Sequence, residues 1–480
     1  MSSNLSEAAL EPSGTRSLPD QSFGAAVREA VRGSRRDYTE GPIGRAILLL
    51  AIPMVLEMVM ESVFAICDVF FVSRLGADAV ATVGLTESLL TTIYAIAVGL
   101  SIGATAVVAR RTGEHDREGA ARAAVQAIVL GVIVAAGLGV AGAALAPRLL
   151  ALMGASPSVL ASGSTFARVM LGGNATIMLL FLINAIFRGA GDAAIAMRVL
   201  WFANAINILL GPCFIFGLGP FPRLGVTGAA VATNIGRGAG VLFALSRLWR
   251  RESRVAIHRR HLALDPAVML RMLRLSASGT LQMVISTASW MGLIRILSTF
   301  GSNALAGYTI GIRVIIFALL PSWGLANAAA TMVGQALGAR RPERAERAVW
   351  LAGFYNMCFL GVVGIVFVLL ARPIVHVFTS DALVLPHAVN ALRIVALGFV
   401  FYAYGMVLAA AFNDAGDTLT PTLLNFVTFW LWEIPLAYVL AETLHFGPRG
   451  VYAAITIAFS TFALLGAIMF RRGRWKERKV

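Results

Sequence analysis

Leu48–Leu75, LLLAIPMVLEMVMESVFAICDVFFVSRL, constrains this chain more than any other stretch. It is long and apolar enough to cross a bilayer of about 30 Å, yet it carries Glu57, Glu61 and Asp68. At about 100° per residue the three carboxylates share one helical stripe roughly 16 Å long. Each would cost about 2.5 to 3.5 kcal/mol at a bilayer centre, so the stripe must face a bundle interior or a water-filled path.

With 58% hydrophobic and only 14% charged residues, the whole chain reads as a polytopic membrane protein, because one or two spans would not produce that balance. Cys67, Cys213 and Cys358 all fall in apolar stretches and are expected to be free thiols. The histidines lie in connections or near segment ends and form no metal-binding spacing, so no metal and no cofactor is expected. The net charge of +15 lies in the connections, which makes it a topology signal and not a nucleic-acid signal.

Residues 1–44 lack an apolar signal region and read as a disordered or loosely helical tail carrying Arg16, Arg28, Arg32, Arg35 and Arg36. Twelve apolar segments follow, at about 46–72, 80–108, 121–145, 161–187, 195–218, 226–248, 272–299, 304–336, 348–371, 388–411, 420–442 and 450–470, with 146–160 read as a short interfacial helix. The connections alternate in charge. Only Arg74, Arg148, Arg223, Arg372 and Arg449 lie on the side opposite the tail, which predicts that both termini are cytoplasmic and the helix number even.

The second half repeats the first at a constant offset of 225. Gly76, Ala79 and Ala81 recur as Gly301, Ala304 and Ala306; Gly113, Glu118 and Arg122 recur as Gly338, Glu343 and Arg347; and Phe187, Gly191, Asp192 and Gly225 recur as Phe412, Gly416, Asp417 and Gly450. The spacing predicts an all-α membrane protein of two six-helix bundles around a central cleft: an N-lobe at 45–248, a basic linker at 249–271, a C-lobe at 272–470 and a basic tail at 471–480. The repeat breaks at the acidic stripe, where Gln282, Ser286 and Leu293 stand opposite Glu57, Glu61 and Asp68. Glu433 is the one clearly intramembrane acid of the second half, so ion coupling is expected in the first lobe, with Glu433 and Glu87 as secondary acids. Thr91, Asn184, Asn204, Asn207, Thr233 and Asn234 are the polar residues able to converge on the stripe, and Arg168 or Arg237 the partners expected for Glu57 and Glu61. Met54, Met58, Phe64, Tyr94 and Phe181 suit a flexible apolar wall for varied aromatic compounds, though each equally suits a core.

AICDVFFVSRLGADAVA (65–81), FRGAGD (187–192), NAINILLGPCFIFGLGP (204–220) and GVTGAAVAT (225–233) together resemble the multidrug and toxic compound extrusion (MATE) transporters, in particular their prokaryotic DinF-like branch. The resemblance implies an antiporter of two lobes that exports organic, often cationic compounds against H+ or Na+, in a bacterial cytoplasmic membrane, as a monomer in the lipid bilayer. It also implies that Asp68 is the proton-coupling acid, with Asn207 beside it on helix 5 and Thr233 and Asn184 at polar positions of helices 6 and 4. Gly211 stands where the branch has a second aspartate, and the acids of the NorM-like branch on helices 7 and 10 are missing. A proton on Asp68 would shift helix 1, which contains Pro53, and collapse the cleft. Two other readings remain open at this point: a flippase for lipid-linked oligosaccharides, and, less favoured, an intramembrane enzyme, which would need a Ser, His or paired-Asp constellation that the segments lack.

Overall fold

The computed structural model describes residues 23–34, 36–250 and 253–478, and within them all regular structure is helical. The first lobe holds α1 Phe23–Arg32, α2 Ile43–Ser73, α3 Ala77–Gly113, α4 Arg117–Leu152, α5 Pro157–Gly172, α6 Asn174–Gly189, α7 Ala193–Phe216 and α8 Val226–Leu248. The second holds α9 Pro266–Ser298, α10 Ser302–Gly338, α11 Pro342–His376, α12 Leu385–Ala396, α13 Phe399–Asp414, α14 Leu419–Asn425, α15 Ile434–Tyr438 and α16 Pro448–Arg471. π-helical stretches at Phe426–Glu433 and Val439–Thr443 join α14 and α15 into one span, Leu419–Thr443. Eleven spans are continuous by length and hydropathy; α12 and α13, bent by 60°, make the twelfth.

The repeat extends to the backbone. The turns at Gly76 and Gly301 share φ values of 98° and 95°, those at Gly191 and Gly416 share 83° and 87°, and His115 and Arg340 adopt the same left-handed conformation at 57° and 56°. A left-handed residue other than glycine at two positions 225 apart marks a turn whose geometry is fixed by what surrounds it.

Two expectations need correction. There is no separate interfacial helix at 146–160: α4 runs through Pro147 to Leu152, and a new helix starts at Pro157 because Ser156 caps it, accepting from the Val159 backbone N–H at 3.3 Å. The tail is ordered over its described part. α1 packs on α2 and α7 and buries Ala26 and Ala30 one turn apart, and Tyr38 is 3% exposed. Residues 1–22 and Arg35 lie outside the described residues. The two lobes also share core residues. Ile47, Leu50, Ala51 and Met54 of α2 join the core of α10, α11 and α13 in the second lobe, while Met272 of α9 joins the core of the first. Each lobe's first helix therefore crosses to its partner at the end that carries both termini, here called the basic face.

Glycines permit that crossing. A Cβ on Gly99 or Gly103 of α3 would run into the backbone at Ser276 or Met272 of α9, and one on Gly324 of α10 would lie 2.8 Å from the backbone of Met54 and Val55. Gly113 and Gly338 abut the backbone of Gln335 and Arg110 across the pseudo-two-fold axis. All these approaches lie in the halves of the helices toward the basic face. In the opposite halves Gly84 meets nothing within 4 Å, and Glu87, Ser88 and Thr91 are exposed. The lobes are sealed at the basic face and parted at the far one.

Candidate functional site

In the first lobe α2, α3, α6, α7 and α8 bring a cluster of charged, polar and aromatic side chains together. At its centre is Arg237 of α8, 5% exposed. Its guanidinium lies 3.3 Å from the Tyr94 hydroxyl, to which it donates, and 5.8 Å from the ring centroid of Phe64; Tyr94 and Phe181 form a tilted ring pair at 5.8 Å. Phe64, Tyr94 and Phe181 are thus brought together around one cation. Met58 is half-buried on α2. Met54 is corrected: at 1% exposure it belongs to the core between the lobes and lines no open wall, because the glycine at 324 draws that turn of α2 into the second lobe.

Two acids of the stripe face Arg237. Glu61 accepts from the Asn204 side-chain amide at 3.1 Å and lies within the field of Arg237. Asp68, half-buried one and a half turns from the far end of α2, is also within that field, and its charge reaches Glu87 on α3. Among the described residues Asp68 makes no hydrogen bond and no ion pair. Asn207 and Thr233 are brought together, 3% and 6% exposed, with the Asn207 amide donating to the Thr233 hydroxyl at 3.0 Å; neither bonds Asp68. Glu87 is exposed on the cleft and faces Arg313 of α10 across it. Asn234 donates to the carbonyls of Val169 and Ala230 and accepts from the Thr176 hydroxyl, tying α8 to α5 and α6, while the Thr91 hydroxyl donates to the Glu87 carbonyl one turn back.

Glu57 and Asn184 belong elsewhere. Glu57, 2% exposed, pairs with Arg188 at 2.8 Å and accepts from Asn184 at 3.3 Å, close to the basic face. The partner is neither Arg168 nor Arg237: α6 continues to Gly189, so Arg188 points into the bundle where the sequence places a connection. The repeat shows what this pair does. At the positions 225 further on, Gln282 and Asn413 exchange amide hydrogen bonds at 2.9 and 3.2 Å, tying the first helix of the second lobe to its fourth span as Glu57 and Arg188 tie α2 to α6.

In the second lobe Glu433 ends a π-helical stretch and is 1% exposed, and neither carboxylate oxygen has a hydrogen-bond partner among the described residues. It borders a narrow cavity with Trp290, Tyr308 and Tyr402. No group of three metal-ligating side chains comes together among the described residues.

What carries such an architecture elsewhere is well defined. The MatE family model matches residues 53–213 and 280–439, one copy in each lobe. The chain is 27% identical over 446 residues to a probable multidrug resistance protein, NorM, of Thermotoga maritima, covering 91% of this chain and 94% of that protein. It is 26% identical to the probable multidrug resistance protein YoeA of Bacillus subtilis, covering 91% and 95%. A solved structure of the outward-facing conformation of a multidrug resistance MATE family transporter superposes with a TM-score of 0.86 at 28% identity, covering 92% of this chain and 98% of that one. Two family matches in two six-span lobes, together with a fold shared from end to end, show that this chain belongs to the MATE family of membrane transporters.

Proposed function

We propose that this chain exports organic, amphipathic cations in exchange for protons, and that Asp68 carries the proton. The observation that carries this reading is the cluster around Arg237 in the first lobe. There a carboxylate free of hydrogen bonds shares one guanidinium with Glu61, beside three aromatic rings. A low-dielectric site disfavours uncompensated charge, so the ionic state of Asp68 decides how Arg237 is shared. With Asp68 charged, Arg237 lies between two acids. With Asp68 protonated, Glu61 is its remaining counter-ion, and α2 loses one attraction to α8.

Because α2 also reaches into the second lobe, a shift of this helix bears on both lobes at once. The basic face is then cytoplasmic, as the charge of the connections requires, and the conformation described is outward-open. Exchange of one monovalent cation for one proton moves no net charge, so the pH gradient drives it, each pH unit being worth about 1.4 kcal/mol or tenfold accumulation. A single acid therefore suffices, with Gly211 in place of a second one. Proton is favoured over sodium because no second carboxylate joins Asp68 to form an oxygen cage.

The test uses purified protein in liposomes, a fluorescent organic cation and an imposed pH gradient. The native chain should drive uptake that Asp68→Asn abolishes, while the variant still binds the cation. Gradient-driven transport by Asp68→Asn at the native rate would remove Asp68 from the coupling role.

A further inference from the structure

The seal at the basic face buries more acid than base. Glu57 and Asp414 are 2% and 3% exposed, and Glu57 Oε2 and Asp414 Oδ2 have no hydrogen-bond partner among the described residues. Arg188 pairs with Glu57 at 2.8 Å and is also the charge whose field reaches Asp414. This cluster lies on the seam between the lobes. The Arg188 carbonyl accepts from the Thr331 hydroxyl at 3.2 Å and the Gly189 carbonyl from the Gln335 amide at 2.9 Å, both from α10. Gly334, next to Gln335 and about one turn from Thr331, would place a Cβ 2.6 Å from Ala109 of the first lobe and 3.6 Å from the Asp414 carbonyl.

The other charges packed around the cluster do not restore the balance. Glu61, one turn along α2, adds to the negative side. Arg110 of α3 donates to the carbonyls of Ala415 and Arg478, and Arg478 is itself paired with Asp417 at 3.3 Å. Two carboxylates against one guanidinium leave one negative charge among side chains no more than 13% exposed, where an unpaired charge costs several kcal/mol. One bound proton removes that cost. The repeat argues that the charges are not there simply to hold helices together, since Gln282 and Asn413 make the same tie in the second lobe with amides, and the residue opposite Asp414 is Gly189.

We propose that the closed seam is itself a proton-binding site, in which Glu57 and Asp414 together hold one proton against Arg188. The proton is taken from the basic-face side as the lobes close there and returned to that side as they part. It crosses no membrane and adds nothing to the transport stoichiometry. It makes inward opening respond to pH on the cytoplasmic side, with acid holding the seal shut and alkali releasing it. The site is separate from Asp68, so it stands if Asp68 fails as the coupling acid; only its assignment to the cytoplasm rests on the topology argued above.

The experiment places spin labels at Arg117→Cys and Glu343→Cys, exposed on the basic face of either lobe, in a chain with its three cysteines replaced by serine and Asp68→Asn to silence the other site. Distance distributions are recorded from roughly pH 5 to 9, where one linked proton changes the ratio of parted to closed molecules by up to tenfold per pH unit. The parted fraction should rise with pH along that slope. Asp414→Asn should flatten it to less than about twofold per unit. Glu57→Gln, which leaves one carboxylate for Arg188, should flatten it independently, so that misfolding of one variant leaves the other to decide. A native slope retained in either folded variant, or no slope in the parent, overturns the proposal.

Discussion

Glu57 and Arg188 can be compared with an amide pair in the same molecule, which turns a buried ion pair into a prediction. Removing one partner of such a pair strands a charge and costs about 3 to 5 kcal/mol, whereas replacing both with groups that satisfy each other is often neutral. Arg188→Asn alone should therefore lower the thermal transition of the detergent-purified protein sharply. Glu57→Gln with Arg188→Asn, which copies Gln282 and Asn413, should recover most of the loss. A double variant as unstable as Arg188→Asn alone would show that the tie in the first lobe does not follow the amide pattern of the second. At this scale the sequence was legible in part. The period of a helix puts Glu57, Glu61 and Asp68 on one stripe, but the structure divides the stripe between two sites, Glu57 with Arg188 at the seam and the other two with Arg237 inside the first lobe. Periodicity gives the face of a residue and not its neighbour on another helix. The partner was nonetheless encoded: adding 225 to 57 and 188 lands on two amides, a compensated pair that only a comparison of both halves could reveal.

At the scale of elements, the seal depends on helices whose backbones touch. A Cβ on Gly99 would collide with the Ser276 carbonyl at 2.6 Å and with the Thr280 side chain, so Gly99→Val cannot be accommodated while α3 and α9 stay in register. The variant should favour molecules parted at the basic face, seen as faster labelling of a cysteine replacing the buried Ser276 by a membrane-impermeant reagent from that side. Gly84→Ala is the control: nothing lies within 4 Å, and removing a helical glycine should leave labelling unchanged and stability the same or higher by up to about 1 kcal/mol. Unchanged labelling in Gly99→Val would mean that the α3–α9 contact is not part of the seal. Hydropathy locates all twelve crossings because burial of apolar length is a local property. It misses the continuation of α4 through Pro147, the break of the fourth span at Gly173 and the π-helical stretches before and after α15. Those depend on which carbonyls neighbouring helices leave free, a matter of packing that no window of sequence contains. The exchange of α2 and α9 between lobes is missed for the same reason.

For the molecule as a whole, the segment from Arg36 to Gly41, together with Ser34, acts as a strap across the basic face. Arg254, from the linker between the lobes, donates to the carbonyls of Ser34 and Arg36 at 3.0 and 2.7 Å, pairs with Asp192 and covers the Tyr38 ring. From the second lobe, Arg344 donates to the carbonyls of Tyr38, Glu40 and Gly41 at 2.7 to 3.0 Å, and Arg341 to that of Thr39 at 2.8 Å. One strap held by arginines from both sides resists separation of the lobes at this face, adding to the seal at the glycines. Replacing Arg341 and Arg344 together by Ala should free Tyr38 to Gly41 from the second lobe while leaving Arg254 in place. Hydrogen exchange should then quicken over residues 36–41, with Ala326 to Gly338 of α10 less affected, because that helix keeps its buried contacts. Acid should loosen the strap in a separate pH window. Burial raises the pKa of Glu29, but bonds from Arg45, Arg36 and Ser34 outweigh it and hold the carboxyl below the ordinary glutamate value. A lowered pKa contributes stability that is complete above the unfolded value of about 4.3 and is lost as pH falls through the folded one. Exchange over residues 29–36 should thus rise only in strongly acid solution, well below the range in which the seam is proposed to titrate. If both arginines can be removed without change in exchange over 36–41, the strap is held by the linker alone and ties only the first lobe.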